Sequence, residues 1–400
     1  MVTDASGREA VLLPAKFNPA CYACVRSLAE CGVHTIVASE HEDVPAGGSR
    51  FCNEQIQICS PDDDLVAYKD ALKGIAARPD VRAILPLRPA DPYVFATYRD
   101  EFEQYASVIA PPTGALEVVN DRTKLFDAAR EAGVPVPETR CLDEVDRWDD
   151  AFVIKSRYNL LTAELTPSLA SDTSAVEKDV VYVEPGDEPD KAAIRATMRH
   201  EPIVQEYVRH DDQYVFGALY DQGEAVATFQ HRQIRGTSYT GGGGVYRESI
   251  HDPKLEAVGR TLLDSLDWHG IACIEYAKDA TTGEYKLLEI NPRFWQSLPC
   301  AVRAGADFPA YYWLQALDRK SSIDARYERG VRSHYLYGEV HYLLSLRRDD
   351  PILVDRPPIL ATTREILESC VRAPHFDVFR FGDPVPFSRE LRRVLQHRIG

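Results

Sequence analysis

Short apolar runs and stretches of helical periodicity alternate through the first 110 residues of the chain. The apolar runs predict strands at 10–14, 33–38, 56–59 and 81–87, and the periodic stretches predict helices at 21–31, 64–77 and 93–105. Strand–helix alternation with short connections indicates a parallel sheet covered by helices on both faces. The loop after the first strand, Lys16-Phe17-Asn18-Pro19-Ala20, has no GxGxxG pattern, so dinucleotide binding is unsupported.

The pattern changes after Pro111-Pro112, which marks a boundary. A helix is predicted at 115–132, closed by Gly133, and the polar, aperiodic stretch 156–175 predicts a loop. Further strands are predicted at 152–155, 203–208, 214–220 and 225–234, a helix at 253–266, and a hairpin with arms 271–278 and 284–291. The last eighty or so residues are predicted to be mostly helical.

The composition narrows the class of protein. The 400-residue chain has 46 basic and 62 acidic residues, a formal charge of −16 and 44% hydrophobic residues, which is typical of a folded globular protein. The acidic balance argues against nucleic acid or a membrane surface as the main partner, because both require clustered Lys and Arg. Only 11 basic residues are Lys. An acidic, Lys-poor chain suggests a high-salt cytoplasm, and a GC-rich genome explains the same numbers equally well.

Targeting and cysteine patterns predict a cytoplasmic protein. No window approaches the ~18–20 apolar residues of a membrane span, and the acidic N-terminal stretch does not resemble a signal peptide. The nine Cys are scattered and odd in number, as expected for a chain without a disulfide framework. The single CxxC, at Cys21 and Cys24, has no second pair, so we expect a buried helix there rather than a zinc or redox site.

The predicted hairpin carries the sharpest chemical pattern in the chain. Alternation puts Glu289 and Asn291 on one face of the second strand, and the central turn places Glu275 roughly opposite Glu289. Two carboxylates at that distance repel unless a cation lies between them, and oxygen ligands from two Glu and one Asn suit Mg²⁺. Arg293 follows directly, where it can face an anionic intermediate. A solvent-exposed hairpin with a charged face is the alternative interpretation.

Glu275 followed by Glu289-Ile290-Asn291-Pro292-Arg293 resembles the metal-binding signature E-x-N-x-R of the ATP-grasp superfamily. Other segments between residues 10 and 320 are similar to that family and occur in the right order. They are the helix with Lys124, the GVPVPET turn at 133–139, the strand ending in Lys155, the hinge strand 204–208, the HRQIR segment at 231–235 before the glycines 241–244, and the SRFC segment at 49–52.

The resemblance implies a role for each matched residue. Lys124 and Lys155 are expected at the phosphates as point cations. The main chain of the hinge residues Glu206, Tyr207 and Val208 is expected to contact adenine. The side chain of Glu206 is equally well explained as a surface group. Asp212 or Asp211 is expected to bind the ribose. Glu275, Glu289 and Asn291 are expected to hold Mg²⁺ or Mn²⁺. Arg293 and Arg235 are expected to act in catalysis, Arg235 because it adjoins the flexible glycines.

The implied fold combines α/β and α+β units: an N-terminal parallel α/β domain at 1–112, a two-lobed ATP-grasp domain at 113–322 with its small lobe at about 140–210, and a mostly helical region at 323–400. The implied activity is that of an ATP- and Mg²⁺-dependent carboxylate–amine ligase, which activates a carboxylate as an acyl phosphate for attack by an amine or another nucleophile. Its partners are then small-molecule carboxylates and amines, with no nucleic acid and no membrane, and a homodimer is compatible with the helical C-terminal region.

The segment 156–162 departs from the family because it holds no glycine, whereas many members close a Gly-rich loop over the phosphates at this point. Two alternatives therefore stay open. One is a phosphotransferase on the same scaffold, and the other is a non-catalytic ATP-binding protein. The complete set of Glu275, Glu289, Asn291 and Arg293 disfavours the second alternative.

Overall fold

The parallel sheet lies at the start of the chain. The computed structural model describes residues 8–177, 179–210, 212–349 and 352–396. The strands β1 (Ala10–Pro14), β2 (His34–Ser39), β3 (Glu54–Gln57) and β4 (Val81–Ile84) pair in the order β3-β2-β1-β4, all parallel. Their helices are α1 (Pro19–Glu30), α2 (Leu65–Ala76), α3 (Asp91–Thr97) and α4 (Arg99–Phe102). Every residue of β1 is buried, as expected for a central parallel strand.

Two of the predicted helices are wrong because the chain leaves the helical conformation within them. The helix predicted at 93–105 divides at Tyr98 into α3 and α4. The helix predicted at 115–132 divides into α5 (Thr113–Asn120) and α6 (Arg122–Glu131). Between them Asp121 is extended (φ −98°, ψ 106°), and its carboxylate caps α6 by accepting a hydrogen bond of 3.0 Å from the N–H of Thr123.

A four-stranded antiparallel sheet follows. Its strands β5 (Thr139–Cys141), β6 (Phe152–Lys155), β9 (Val180–Val183) and β10 (Ile203–Glu206) pair in the order β5-β10-β6-β9. The helix α7 (Lys191–Met198) packs on it, and Ile154, Val204 and Met198 belong to its small core. The short strands β7 (Leu161–Thr162) and β8 (Ser174–Ala175) pair inside the stretch predicted as a loop.

The largest sheet has six strands and is antiparallel throughout, in the order β15-β14-β11-β12-β13-β16. Its strands are β11 (Gln213–Asp221), β12 (Glu224–Arg235), β13 (Tyr246–Ile250), β14 (Gly270–Lys278), β15 (Tyr285–Asn291) and β16 (Arg332–His334). The helix α8 (Pro253–Ser265) packs with α5 and α6 on one face. On the other face α9 (Leu298–Arg303) and α10 (Phe308–Ala316) also contact α1, which joins this sheet to the parallel unit.

The C-terminal region contains α11 (Leu336–Arg348), α12 (Ile359–Arg372) and α13 (Val385–Gln396), and α11 contacts both of the others. It also adds the short strand β16 to the large sheet, which the sequence did not predict. The predicted fold class, a parallel α/β unit followed by antiparallel α+β lobes and a helical tail, is confirmed. Within the described ranges, no helix combines the length and the apolar character needed to cross a membrane.

Candidate active site

A cleft of about 440 Å³ lies between the four-stranded and the six-stranded antiparallel sheets. Residues of β6, β9 and β10 line one wall, and residues of β11, β14 and β15 line the other. Most of the residues predicted for the site line this cleft: Lys155, Glu206, Tyr207, Val208, Glu275, Glu289, Asn291 and Arg293.

Glu275 on β14 and Glu289 on β15 are direct partners in the antiparallel register, as the alternation predicted. Both oxygens of Glu289 accept hydrogen bonds. Asn291 Nδ2 donates to Oε1 at 2.6 Å, and Arg122 Nη2 donates to Oε2 at 2.6 Å. Among the described residues the side chain of Glu275 has no hydrogen bond or ion pair, so the two carboxylates differ sharply in their surroundings.

The charges of this pair favour a cation. Burial raises the pKa of Glu275, and the neighbouring charge of Glu289 raises it further. Burial also acts on Glu289, but the Arg122 guanidinium outweighs it and holds the pKa of Glu289 below the usual carboxyl range. A cation between the two carboxylates relieves their repulsion.

The donor set fits Mg²⁺ better than a softer metal. Two carboxylates and the amide oxygen of Asn291 are hard oxygen ligands, and Mg²⁺ usually takes its remaining ligands from phosphate and water. The part of the chain that the structure describes contains no group of three or more His, Cys, Asp or Glu side chains able to hold a metal ion.

Lys155, the last residue of β6, lines the cleft from the opposite wall. Burial and the nearby Arg122 cation lower the pKa of Lys155 to about 7, against the opposing effect of Glu289 and Glu275. A phosphate beside Lys155 raises that pKa again, because an adjacent anion stabilises the ammonium form. The site is thus suited to a ligand that brings negative charge to this wall.

The chain after β10 forms the end of the cleft expected to hold a base. Apolar side chains of Val153, Val180 and Leu288 line this part of the wall. Tyr207 packs edge-on against Tyr182, with ring centroids 6.3 Å apart and an interplanar angle of 77°. The side chain of Glu206 pairs with Lys286, so Glu206 contributes to the cleft mainly through its main chain. Apolar and aromatic side chains in a cleft suit a planar heterocycle.

Comparison with known proteins identifies the fold. No protein-family model matches the chain, and no curated protein sequence matches it. Among solved structures, the L-amino acid ligase from Bacillus licheniformis is 13% identical with a TM-score of 0.59, over 81% of this chain and 78% of that chain. The biotin carboxylase domain of Hydrogenobacter thermophilus 2-oxoglutarate carboxylase is 13% identical with a TM-score of 0.58, over 80% and 71%. Rhizobium etli pyruvate carboxylase is 15% identical with a TM-score of 0.57, over 79% of this chain and 28% of that chain. The chain has the ATP-grasp fold.

The structure does not bring Lys124 to the cleft of this ATP-grasp fold. Because α6 begins only after Asp121, Lys124 lies on its exposed side and Arg122 lies on its buried side. Arg122 donates to Ser156 O at 2.8 Å as well as to Glu289. The cation of this helix that stands beside the carboxylate pair is therefore Arg122, which the sequence analysis missed.

Asp212 and Arg235 also lie away from the ATP-grasp cleft. Asp212 accepts a hydrogen bond of 3.2 Å from Arg232 at the surface. Arg235 is buried beneath α11 and α12, where it donates to Glu339 at 2.8 Å and to Ser369 Oγ at 3.2 Å. A register shift between Gln233 and Arg235 accompanies this orientation. Asp211, the other ribose candidate, lies outside the described residues.

In place of a Gly-rich loop, the segment after β6 folds back onto the junction of α5 and α6. Arg157 pairs with Asp121 at 2.6 Å, and Leu160 N donates to Asn120 Oδ1 at 2.8 Å. Asn159 Nδ2 donates to Ile290 O at 3.1 Å, and Asn159 lines the cleft together with Ser156. This stretch therefore contacts β15, the strand that carries Glu289, and packs against the protein instead of forming a separate loop over the cleft.

The glycine-rich loop after β12 reaches the cleft instead. Thr240, Gly242 and Gly243 line the cleft. Tyr182 OH donates to Thr240 O at 3.0 Å, which ties the loop to β9 in the small sheet. The sequence analysis missed Tyr182 because β9 is a short, half-exposed strand with no clear periodicity, and Arg122 because the capping signal of Asp121 lies inside a helical pattern.

A second cavity of about 620 Å³ adjoins the cleft. Glu275, Glu289, Asn291 and Arg293 line both spaces. Arg293 donates to Asn291 Oδ1 at 3.2 Å and to Phe294 O at 3.1 Å, and it forms no ion pair with the residues that the structure describes. The carboxylate pair and a guanidinium without a described ion-pair partner thus stand at the junction of two pockets.

Proposed function

We propose that this protein is an ATP- and Mg²⁺-dependent ligase that activates a carboxylate as an acyl phosphate and transfers the acyl group to an amine or another nucleophile. The observation that carries the proposal is the position of Glu275, Glu289, Asn291 and Arg293 where the two pockets meet. One pocket has the cationic and apolar walls expected for a nucleotide. The other pocket has room for an acceptor next to the γ-phosphate of that nucleotide.

In this proposal the protein's own residues position both reactants. Lys155 and the main chain at 206–208 hold the phosphates and the base of ATP, and the loop with Gly242 and Gly243 covers them. Glu275, Glu289 and Asn291 would hold Mg²⁺, which when bound supplies positive charge that offsets the charge developing on the phosphate oxygens. Arg122 keeps Glu289 ionised, so this ligand is ready at neutral pH.

The chemistry divides into two steps. A carboxylate oxygen of the acceptor attacks the γ-phosphorus of ATP, the bond to the bridging oxygen breaks, and ADP leaves. The nucleophile then adds to the acyl carbon, and the tetrahedral intermediate collapses with loss of inorganic phosphate and of a proton from the nucleophile. Arg293 lies where both intermediates carry negative charge, and preorganised positive charge of this kind is the main contribution that a protein makes to such transfers.

Proteins with this fold support the assignment. One is an L-amino acid ligase, and another is a biotin carboxylase domain in complex with MgADP and bicarbonate. The shared fold does not identify the acceptor of this chain, because the sequence identity to both is 13%. The acceptor has to be found by experiment.

The decisive experiment measures ADP release from ATP and Mg²⁺ over a panel of amino acids, dipeptides and small dicarboxylates, at low and at high KCl. Mass spectrometry of the products follows. An amide or ester adduct formed together with ADP and phosphate supports the ligase. A stable phosphorylated acceptor identifies a phosphotransferase instead, and ATP binding without ADP release across the panel contradicts an enzymatic role.

A further inference from the structure

The second cavity lies at the carboxyl ends of the parallel strands. Loops after β1, β3 and β4 form one wall, and the opposite wall comes from residues 295–297 and the start of α11. Ligands of open parallel sheets bind outside the carboxyl ends of the strands. The N-terminal unit thus provides a substantial part of the pocket next to the carboxylate pair.

Arg88 is a buried arginine in this wall, with an exposed fraction of 1%. Its backbone is fixed because the N–H groups of Leu87 and Arg88 donate to Asp91 Oδ2 at 2.8 and 2.7 Å. Nη2 donates to Ala15 O at 2.7 Å and pairs with Glu40. Nε and Nη1 are buried, and no described residue accepts a hydrogen bond from them.

Two more residues that line the cavity carry buried polar atoms without a described hydrogen-bond partner. Trp295 Nε1 is a donor and Gln233 Oε1 is an acceptor, and neither has a hydrogen-bond partner among the described residues. Trp295 is 3% exposed and Gln233 is 7% exposed. Buried donors and acceptors without partners are costly and uncommon. Four such atoms, on three residues around one cavity, indicate a ligand with complementary polar atoms.

The other charged groups near Arg88 already have partners, and the buried carboxylate of Asp91 accepts hydrogen bonds from Tyr68 OH and from the N–H groups of Leu87 and Arg88. Lys16 pairs with Asp62 at 2.9 Å at the edge of the cavity, and Glu40 pairs with Arg88. Recognition here therefore rests on hydrogen-bond geometry more than on net charge. The free N–H groups of a guanidinium match a carboxylate or phosphate best. Arg293 stands at the junction with the cleft, beside the carboxylate that is activated. Arg88, which lines only the second of the two cavities, can therefore bind a second anionic group of the same acceptor.

We infer that the acceptor carries a second anionic group, a carboxylate or a phosphate, which binds Arg88 while the first carboxylate is activated beside Arg293. Gln233 Oε1 accepts a hydrogen bond from an N–H or O–H of the acceptor, and Trp295 Nε1 donates to one of its oxygens. This inference rests on the proposed function, because it takes the second cavity as the acceptor site.

Calorimetric titration with matched pairs of small molecules tests the inference. The pairs are glutarate with butyrate, L-glutamate with L-glutamine, and O-phospho-L-serine with L-serine. The member with the second anionic group is expected to bind about 10- to 100-fold more tightly, as charge-assisted hydrogen bonds imply. The glutamate and phosphoserine arms separate a carboxylate from a phosphate. Equal binding within every pair, or no binding of any member, overturns the inference.

Variants connect the preference to Arg88. Arg88→Lys keeps the positive charge and loses the planar fork, so the preference is expected to fall to within about threefold. The matched control is Arg82→Gln, because Arg82 is a half-exposed residue of β4 that pairs with Glu9 at 3.2 Å. If Gln233 Oε1 accepts from the amino group of the acceptor, L-glutamate binds more tightly than glutarate, and Gln233→Met is expected to remove that difference. A preference that stays unchanged in a folded Arg88→Lys protein overturns the inference.

ADP release over the same pairs keeps this inference separate from the proposed function. If ADP and the ligated product form equally with butyrate and glutarate, the ligase assignment holds and the role of Arg88 fails. If diacids bind through Arg88 and no ADP forms with any of them, the binding site stands and the ligase assignment fails. Circular dichroism and ATP affinity of each variant show whether its fold is preserved.

Discussion

Arg122 donates a hydrogen bond of 2.6 Å to Glu289, the carboxylate that stands directly opposite Glu275 in the β14–β15 pair. This contact makes the two carboxylates unequal. Glu289 is held ionised by a neighbouring cation, whereas burial and the charge of Glu289 raise the pKa of Glu275. In the proposed site, the pair therefore supplies one carboxylate that is already ionised and one that a metal ion would help to ionise.

Glu289→Gln is expected to lower Mg²⁺-dependent ADP formation at least 100-fold, because it removes the prepared anionic ligand and leaves Arg122 without its partner. The measurement is a coupled ADP assay with titration of Mg²⁺. Glu284→Gln, at an exposed position next to the hairpin turn, is the matched control and is expected to be fully active. Turnover like that of the natural protein in Glu289→Gln contradicts the site.

Lys155→Met is expected to weaken ATP binding more than tenfold, since Lys155 is the lysine that lines the cleft. Lys124→Met is its matched control, because Lys124 is exposed on α6, and its ATP affinity is expected to stay within about twofold of the natural protein. Calorimetric titration with a non-hydrolysable ATP analogue and Mg²⁺ measures both. A larger loss in Lys124→Met than in Lys155→Met restores the role that the sequence motif implied.

The carboxylate site was predictable from sequence because its geometry is local. Strand alternation and a short turn place Glu275, Glu289 and Asn291 together without any knowledge of the rest of the fold. The same holds for Lys155, because the strand that it ends has the bounds predicted from the sequence. These residues depend on one hairpin and one strand, and the parallel unit likewise depends on simple strand–helix alternation.

Arg122 and Arg235 were not predictable in this way. Whether Arg122 or Lys124 faces the cleft depends on the break at Asp121, which Arg157 stabilises from a segment 36 residues away in sequence. The surroundings of Arg235 are set by α11 and α12, more than 100 residues later in the chain. Local periodicity carries no information on such contacts, so a basic residue next to glycines was assigned to catalysis.

Tyr182→Phe tests the tie between the small sheet and the glycine-rich loop. Loss of the hydrogen bond from Tyr182 OH to Thr240 O is expected to raise the KM for ATP about fivefold, with a smaller effect on kcat, because the cover is then held less firmly over the cleft. Steady-state kinetics of ADP release measure the effect. Tyr105→Phe, at a tyrosine that is 47% exposed, serves as the control, and an equal KM in both variants argues against the tie.

Arg235→Met separates a structural from a catalytic role for Arg235. The guanidinium and the carboxylate of Glu339 are each only 4% exposed, so removing the cation leaves this buried carboxylate with His334 as its remaining side-chain partner. The free energy of unfolding is expected to fall by about 3 kcal/mol. Arg232→Met, on the same strand but with a side chain that is 36% exposed, is expected to lose less than about 1 kcal/mol. Urea titration followed by circular dichroism measures both values.

The ATP affinity of Arg235→Met, measured without urea where the variant is folded, is expected to match that of the natural protein. A stable Arg235→Met protein that binds ATP normally and forms no ADP would instead place Arg235 in the reaction.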